Sequence, residues 1–368
     1  MTTVLFTGGG TGGHLMPALA IADEMVRLDP SVTPFFVGSR RGLEASVLPQ
    51  RPWRYELLPL EPIWRRRWWK NAGLPFALVR SLVRLRAILR AERPGLVVGS
   101  GGYVAGPVVW EAMNRGVPAV LLEANAFPGI ATRWLARRAR QVHLGFPEAR
   151  SRIEVGPGTI VVDSGNPIPP PPFPPPPKPD AKRKLGFAGD RPLVFVTGGS
   201  QGALAINRAV ADAVAGGAFP AGVSLLWQCG EASLAQFSPL GEPGCIAVRP
   251  FIDPVADAYA AADLVVARAG GTVASLAAWG LPAILIPLPT AAAGHQLSNA
   301  QALANAGAAV LLEQRDLTGA TLGGAISTLL HDPARMAGLK AEMLRRARPE
   351  AATTIASEAL KVMWKTPG

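Results

Sequence analysis

Short apolar, β-prone runs alternate along the chain with longer stretches whose apolar residues recur at helical spacing. Val4 to Thr7 form the first such run, five glycines follow between residues 8 and 13, and Leu15 to Met25 show helical spacing. This order predicts a strand, a glycine turn and a helix. Such a turn directs backbone N–H groups and the positive end of a helix at one point, which suits a phosphate or a diphosphate.

The same order recurs in both halves of the chain. Further strands are predicted at residues 32–38, 95–99, 119–125, 192–197, 224–229, 245–249, 264–267 and 282–287. Helical stretches separate most of them, and this alternation is typical of doubly wound parallel sheets. We therefore predict an α/β protein with two doubly wound, Rossmann-like domains that face each other across a cleft.

The length and a proline-rich stretch predict where these domains divide. The chain has 368 residues, enough for two domains of ordinary size. Residues 164 to 179 are mostly proline, which favours an extended connector without backbone donors. We predict an N-terminal domain at residues 1–163, a linker at 164–180, a C-terminal domain at 181–345 and a terminal helical segment at 346–368.

The formal net charge of +11 indicates an anionic partner, such as nucleic acid, membrane headgroups or a phosphorylated substrate. No recognisable nucleic-acid-binding module accompanies the charge, so we expect no nucleic acid partner. Trp64, Trp68 and Trp69 stand beside arginines, and a basic amphipathic stretch containing Phe76 and Leu82 follows. This composition favours contact with an anionic membrane surface. The alternative is an ordinary amphipathic helix with solvated arginines.

Other features limit the location and the chemistry of the protein. No apolar run reaches the length of about eighteen residues that a spanning helix requires, and the first residues lack a signal-peptide pattern. These features predict a cytoplasmic protein. Cys229 and Cys245 are the only cysteines, too few for a disulfide framework or a thiolate metal site, and the four histidines are scattered. We expect neither a metal nor a cofactor.

Several polar residues follow predicted strands of the first half. His14 follows the first glycine turn, Ser100 and Tyr103 accompany a second one, and Glu123 and Asn125 end a further strand. Because the carboxyl ends of parallel strands line the ligand crevice, we predict that these residues converge. An imidazole in this place can change charge near neutral pH. Alternatively the glycines only make a tight turn, His14 is a capping or surface residue, and the other polar groups belong to turns.

Two loops of the second half also follow predicted strands. Residues 267–273 open a helix and can direct backbone donors at phosphate or sugar oxygens. Residues 290–299 supply His295, Gln296 and Asn299, neutral groups that suit sugar hydroxyls. Local capping is the alternative for either loop.

The first turn also matches the Gly8-x-Gly10-x-x-Gly13 pattern of dinucleotide-binding proteins. An NAD site would be expected to carry Asp or Glu at the end of the second strand, where Ser39, Arg40 and Arg41 stand instead. This argues against NAD. An NADP-dependent oxidoreductase, in which Arg40 meets the extra phosphate, stays open as an alternative.

Four segments together resemble the MurG family: Gly8-Gly-Gly-Thr-Gly-Gly-His14, Gly101-Gly-Tyr-Val-Ala-Gly-Pro107, Gly198-Gly-Ser-Gln-Gly202 and the loop from Gln296 to Asn299. The resemblance runs in order over almost the whole chain. It implies a GT-B fold and inverting transfer of N-acetylglucosamine from UDP-N-acetylglucosamine to the 4-hydroxyl of a lipid-linked muramyl-pentapeptide. It also implies a role in peptidoglycan synthesis, as a peripheral enzyme at the cytoplasmic face of the plasma membrane.

The resemblance further implies roles for individual residues. His14 is the leading candidate for general base and Glu123 the second. The acceptor would meet Thr11, Gly12, Gly13, Gly102, Tyr103 and Asn125. UDP-N-acetylglucosamine would meet Ser200, Gln201, Gly202, Phe251, Ile252, Arg268, Gly270, Gly271, His295, Gln296 and Asn299. The membrane would meet Trp64, Trp68, Trp69, Phe76 and Leu82.

The sequence departs from the family pattern at five positions. The residues here are Leu122, Ala124, Pro169, Ser275 and His295, where the family usually has His, Gln, Arg, a ribose-binding Glu and Gln. Loss of a carboxylate from the ribose hydroxyls costs roughly 1 to 3 kcal/mol unless another group replaces it. Two further alternatives therefore stay open: another GT-B transferase with a lipid acceptor, and a non-catalytic membrane-associated binder of UDP-sugars.

Overall fold

The computed structural model describes residues 1–10, 12–62 and 73–365. Four residues with predicted roles, Thr11, Trp64, Trp68 and Trp69, lie outside the described residues. The chain forms two compact units. One contains Met1–Pro169 and the segment from Pro349 onward, and the other is Pro170–Arg348.

The first unit is built on a parallel sheet of seven described strands. Its strands are β1 (Thr2–Thr7), β2 (Val32–Ser39), β3 (Arg54–Leu58), β4 (Leu96–Gly99), β5 (Ala119–Glu123), β6 (Gln141–Leu144) and β7 (Ile160–Val162). Its helices up to Pro169 are α1 (Gly12–Leu28), α2 (Glu44–Val47), α3 (Leu74–Glu92), α4 (Gly102–Asn114) and α5 (Ile130–Leu135). The strand order is β3-β2-β1-β4-β5-β6-β7. The order reverses between β1 and β4, and the carboxyl ends of strands at such a reversal point are where ligands bind in open parallel sheets.

The second unit repeats this plan with six described strands in the order β10-β9-β8-β11-β12-β13. Its strands are β8 (Leu193–Thr197), β9 (Ser224–Gln228), β10 (Ile246–Arg249), β11 (Leu264–Ala267), β12 (Ala283–Leu285) and β13 (Val310–Leu311). Its helices are α6 (Lys178–Lys184), α7 (Leu204–Ala215), α8 (Leu234–Phe237), α9 (Val255–Ala261), α10 (Thr272–Ala278), α11 (His295–Asn305), α12 (Gly319–Leu330) and α13 (Pro333–Arg346). Here the order reverses between β8 and β11.

The predicted α/β class with two parallel sheets is confirmed. The central strands were predictable because they are continuous apolar runs, as expected for strands covered on both faces. The sequence pattern did not indicate strands β3, β6, β7 and β13. In β6 the buried Gln141 and His143 interrupt the apolar pattern, and β3 is an edge strand that begins with the exposed Arg54 and Tyr55.

The ends of the proline-rich stretch pack onto the units. Ser164 and Asn166 are buried in the first unit, where the Asn166 amide donates to the Ala124 carbonyl at 2.9 Å. At the other end, α6 already begins at Lys178. The final helix, α14 (Ala351–Lys365), returns to the first unit, and its Thr353 hydroxyl donates to Glu24 at 2.6 Å. The extended connector is therefore shorter than residues 164–180.

Candidate functional site

The two glycine turns of the first unit lie side by side at the reversal point of the sheet. A Cβ atom added to Gly102, whose φ is +82°, would lie 2.1 Å from the Gly9 carbonyl oxygen. One added to Gly8 would lie 1.8 Å from the Ser100 hydroxyl. Only glycine permits such close backbone approach together with a positive φ. The turns after β1 and β4 are thus a single packed unit.

His14 lies in the first turn of α1 and is held by the second turn. Its Nδ1 lies 3.0 Å from the Ser100 carbonyl oxygen, and the Ser100 hydroxyl donates to the His14 carbonyl at 2.7 Å. A carbonyl oxygen only accepts, so this contact requires the proton on Nδ1. Nε2 is then the basic nitrogen of the neutral ring.

Tyr103 belongs to the first turn of α4, which begins at Gly102. Its ring packs against Gly10, where an added Cβ would lie 2.5 Å from the ring. Its hydroxyl donates to the Ser39 hydroxyl at 2.9 Å. Burial raises the pKa of Tyr103, and the hydrogen bond with Ser39 opposes this shift. The phenol therefore stays neutral at physiological pH.

Glu123 and Asn125 form a separate group at the end of β5. The Glu123 carboxylate is buried and accepts from the Asn125 backbone N–H at 3.1 Å, from the Asn125 amide at 3.3 Å and from the Gly129 N–H at 2.9 Å. These bonds tie the carboxylate to its own loop. The structure thus brings His14, Ser100 and Tyr103 together, with Glu123 and Asn125 on the neighbouring strand.

A buried carboxylate that the sequence pattern did not indicate lies beneath the first turn. Glu44, the first residue of α2, has no exposed surface, and both of its carboxylate oxygens lie 3.1 Å from the Gly10 nitrogen. One of them also accepts from the Ser39 N–H at 3.2 Å. An available signal was the isolated acid that follows Gly38 and Gly42 in the loop after β2.

The glycine turn of the second unit is supported by a neutral side chain. Gly198 and Gly202 bracket the exposed Ser200 and Gln201 after β8. The Gln228 amide donates to the Gly199 carbonyl at 3.0 Å, and its oxygen accepts from the Ile252 N–H at 3.1 Å. Gln228 therefore links this turn to the segment of Phe251 and Ile252, a connection that the sequence did not reveal.

Arg268 follows β11, the partner of β8 across the reversal point. Its guanidinium donates to the Ile286 carbonyl at 3.0 Å and to Gln314 at 2.7 Å. Burial lowers the pKa of Arg268, yet the side chain stays protonated because its normal pKa is so high. Within the described residues, no carboxylate forms an ion pair with it.

The other predicted donor residues mainly connect loops to one another. The buried Asn299 donates to the Ala269 carbonyl at 3.0 Å and thereby supports the turn that contains Gly270 and Gly271. Gln296 accepts from the Leu288 N–H at 2.9 Å, and His295 contacts the Ala292 carbonyl at 2.7 Å. These bonds agree with the local capping alternative for residues 290–299.

Ser275 forms a hydrogen bond with Tyr259. Burial raises the pKa of Tyr259 to about 12, and the bond with Ser275 opposes this rise. The serine at this departure from the family pattern is therefore engaged inside its own unit.

Helix α3 exposes one of its two residues predicted for membrane contact and partly buries the other. Phe76 is 81% exposed, whereas Leu82 is partly buried. The helix also exposes Leu78, Val79 and Val83, and it buries Leu85 and Leu89. Leu82 is thus a weaker candidate for membrane contact than the two valines. None of the described helices is both long and apolar enough to cross a bilayer.

No group of three or more potential metal ligands occurs among the residues that the structure describes.

Comparisons with known proteins agree with this geometry. Models of the glycosyltransferase family 28 N-terminal and C-terminal domains match residues 4–144 and 193–357. A UDP-N-acetylglucosamine--N-acetylmuramyl-(pentapeptide) pyrophosphoryl-undecaprenol N-acetylglucosamine transferase of Chlorobium limicola is 36% identical over 98% of this chain and 99% of its own length. The protein of the same name from Prosthecochloris aestuarii is 38% identical over 96% and 97%. The crystal structure of Acinetobacter baumannii MurG is similar over 98% of this chain and 100% of that one, with a TM-score of 0.78 and 26% identity.

Proposed function

The chain belongs to glycosyltransferase family 28 and within it to the MurG family, and on that premise we propose its reaction. The protein transfers N-acetylglucosamine from UDP-N-acetylglucosamine, with inversion, to the 4-hydroxyl of the muramyl sugar of undecaprenyl-pyrophosphoryl-MurNAc-pentapeptide. The observation that carries this proposal is similarity to the named transferases over nearly the full length of both proteins. Each unit also places a glycine turn at the reversal point of its sheet, where ligands of such folds bind.

The test is incubation of the protein with labelled UDP-N-acetylglucosamine and a lipid-linked muramyl-peptide acceptor. We expect release of UDP and a labelled disaccharide product. Binding of the UDP-sugar without transfer would favour the non-catalytic binder, and transfer only to other lipid-linked sugars would favour another GT-B enzyme. Tight binding of NADPH in place of the UDP-sugar would favour the oxidoreductase, an alternative that family membership makes weak.

His14 is the proposed general base for the acceptor hydroxyl. With its Nδ1 proton directed at the Ser100 carbonyl, Nε2 can take the proton that the attacking hydroxyl loses. Glu123 is less suited to this step because three N–H groups already stabilise its carboxylate. We expect His14→Ala to lower kcat about 100-fold or more while the affinity for UDP-N-acetylglucosamine is retained. Turnover near that of the wild type would refute the assignment.

The acceptor's diphosphate is proposed to meet the glycine turns at the start of α1 and α4. N–H groups in the first turn of a helix lack intrahelical partners, and the helix dipole favours an anion there. Gly12 and Gly13 in α1 and Gly102 in α4 occupy such positions. Thr11, Tyr103 and Asn125 would complete this surface.

The donor's diphosphate is proposed to bind at the turn of Ser200, Gln201 and Gly202, before the twelve-residue helix α7. Arg268 adds a positive charge that no carboxylate of the described residues pairs with, which suits a departing diphosphate. Gly270, Gly271, His295, Gln296 and Asn299 would border the sugar. Because the Ile252 N–H is donated to Gln228, the uracil would use other backbone groups of Phe251 and Ile252.

Helix α3 is proposed to contact the cytoplasmic face of the membrane. Phe76, Val79 and Val83 are exposed, and Arg80 and Arg90 lie on the same helix. An apolar face with adjacent basic residues binds anionic interfaces. We expect the triple replacement of Phe76, Val79 and Val83 by Ser to weaken binding to vesicles rich in anionic lipid, with Ile160→Ser as the matched exposed control. Equal binding of both variants would remove this role.

A further inference from the structure

The buried carboxylate of Glu44 is unusual because backbone N–H groups compensate its charge. Its oxygens accept from the N–H groups of Gly10 and Ser39. No lysine or arginine forms an ion pair with it among the described residues. Burial of a carboxylate is costly unless hydrogen bonds compensate it. A buried carboxylate therefore costs more free energy than an apolar side chain in the same space, which indicates a specific role for Glu44.

The surrounding backbone is shaped to admit this carboxylate. A Cβ atom added to Gly9 would lie 1.8 Å from one carboxylate oxygen, and one added to Gly42 would lie 1.9 Å from the other. At Gly38 an added Cβ would lie 2.8 Å from the Glu44 Cβ. Gly9, Gly38 and Gly42 thus form the walls of a pocket for one side chain.

The carboxylate determines which way Gly10 faces. Gly10 has a φ of +87°, and its N–H is directed at Glu44, toward the protein interior. The opposite side of the residue packs against the Tyr103 ring. The amide of Gly10 is therefore occupied, and an anionic ligand would meet the N–H groups further along, at the start of α1.

A second contact extends this arrangement to the turn after β4. Ser39, whose N–H binds Glu44, accepts the Tyr103 hydroxyl at 2.9 Å and donates its own to the Leu60 carbonyl at 3.1 Å. Glu44 thus supports both sides of Gly10, directly through the backbone and indirectly through Ser39 and Tyr103.

We propose that Glu44 is a positioning residue for the acceptor side of the reaction. Its carboxylate fixes the glycine turn and so sets the direction of the α1 N-terminus and of His14. The expected effect on turnover of the acceptor rests on the proposed function, whereas the expected effect on the glycine turn does not. It assigns no contact with substrate to Glu44.

The decisive variant is Glu44→Gln, which keeps the shape and one accepting oxygen but removes the charge. It also places an NH2 group where the second carboxylate oxygen lies 3.1 Å from the Gly10 nitrogen. The matched control is Glu111→Gln, another buried carboxylate of the first unit, which pairs with Arg86 and Arg115 away from the turn. We expect Glu44→Gln to lower kcat/KM for the lipid-linked acceptor by about 10- to 100-fold, as for loss of charged hydrogen bonds. The Kd for UDP-N-acetylglucosamine should stay within about twofold, and Glu111→Gln should leave both values near those of the wild type.

Amide hydrogen exchange supplies a readout that does not depend on activity. Exchange of a peptide covering residues 8–15 should accelerate in Glu44→Gln and in the shorter Glu44→Asp, but not in Glu111→Gln. A wild-type protein that transfers no sugar would overturn the proposed function, and this exchange result would still decide the role of Glu44. The proposal fails if folded Glu44→Gln keeps its acceptor kcat/KM and its exchange rates, or if Glu111→Gln changes them equally.

Discussion

The two units share a strand order but bury different polar groups beneath their glycine turns. In the first unit the turn rests on the Glu44 carboxylate, and in the second the corresponding turn rests on the neutral Gln228 amide. Among the described residues, the buried carboxylates Glu44, Glu111 and Glu123 all lie in the first unit, as does the buried His143. The comparison teaches that one supersecondary plan can hold a glycine turn with either a charged or a neutral support. Burial of His143 should also make the first unit sensitive to acid.

The largest effect is expected where the two turns of the first unit touch. Gly102→Ala would place its Cβ 2.1 Å from the Gly9 carbonyl oxygen at a φ of +82°. We expect a loss of about 4 kcal/mol in the free energy of unfolding, from backbone strain and overpacking together. Gly116→Ala is the control, since it has the same φ with open space around it, and it should cost about 1 kcal/mol. Chemical denaturation measures both, and equal losses would show that the contact between turns contributes little.

A charged residue beneath the glycine turn of the second unit tests whether that turn requires a neutral support. Gln228→Glu would turn a carboxylate oxygen toward the Gly199 carbonyl, which now accepts from the amide at 3.0 Å. We expect about 3 kcal/mol of destabilisation in the second unit and weaker binding of UDP-N-acetylglucosamine. Calorimetric titration with the UDP-sugar checks the second effect. Unchanged affinity in a folded variant would mean that the neutral support is not required.

The acid sensitivity of the first unit can be measured at His143. Burial lowers the pKa of His143 from 6.5 to about 4, so the unfolded chain binds this proton more readily than the folded one. The stability that depends on the neutral ring is complete above pH 6.5 and is lost as pH falls toward 4. The loss should reach about 2 kcal/mol at pH 5.

His143→Gln removes this titration and can still donate to Gln141, the partner of His143 Nε2 at 3.2 Å. As pH falls from 7.5 to 5, the unfolding free energy of the wild type should therefore decrease more than that of the variant. Parallel pH profiles for the two proteins would contradict the assignment.

The smallest effect concerns the hydrogen bond that joins Tyr103 to Ser39. Tyr103→Phe removes the hydroxyl that donates at 2.9 Å but keeps the ring against Gly10. We expect a loss of about 1 kcal/mol in stability, as for one partly buried hydrogen bond. Tyr55→Phe on the exposed edge strand is the control and should be nearly neutral. If both variants have the same unfolding free energy, the hydrogen bond between Ser39 and Tyr103 of the turn after β4 is not needed for stability.

Much of the candidate site was predictable because it consists of backbone turns with a sequence signature. The turns at Gly8 and Gly198 were placed correctly after their strands, since glycine and apolar patterns are local properties. The supports beneath them were not predicted. Glu44 and Gln228 reach their turns from other elements, and nothing in their neighbouring residues states which backbone N–H or carbonyl they meet.

The sequence by itself determined the α/β class, the central strands of both sheets and the glycine turns at Gly8 and Gly198. By resemblance it also determined the family. These depend on periodicity and on short motifs, which report local conformation. The tertiary structure alone decided which face of α3 is exposed, that α14 returns to the first unit, and that a buried carboxylate holds Gly10. Each of these depends on contacts between segments far apart in the chain, such as Glu44 with Gly10 or Thr353 with Glu24. Such contacts arise from packing, which a pattern of neighbouring residues does not specify.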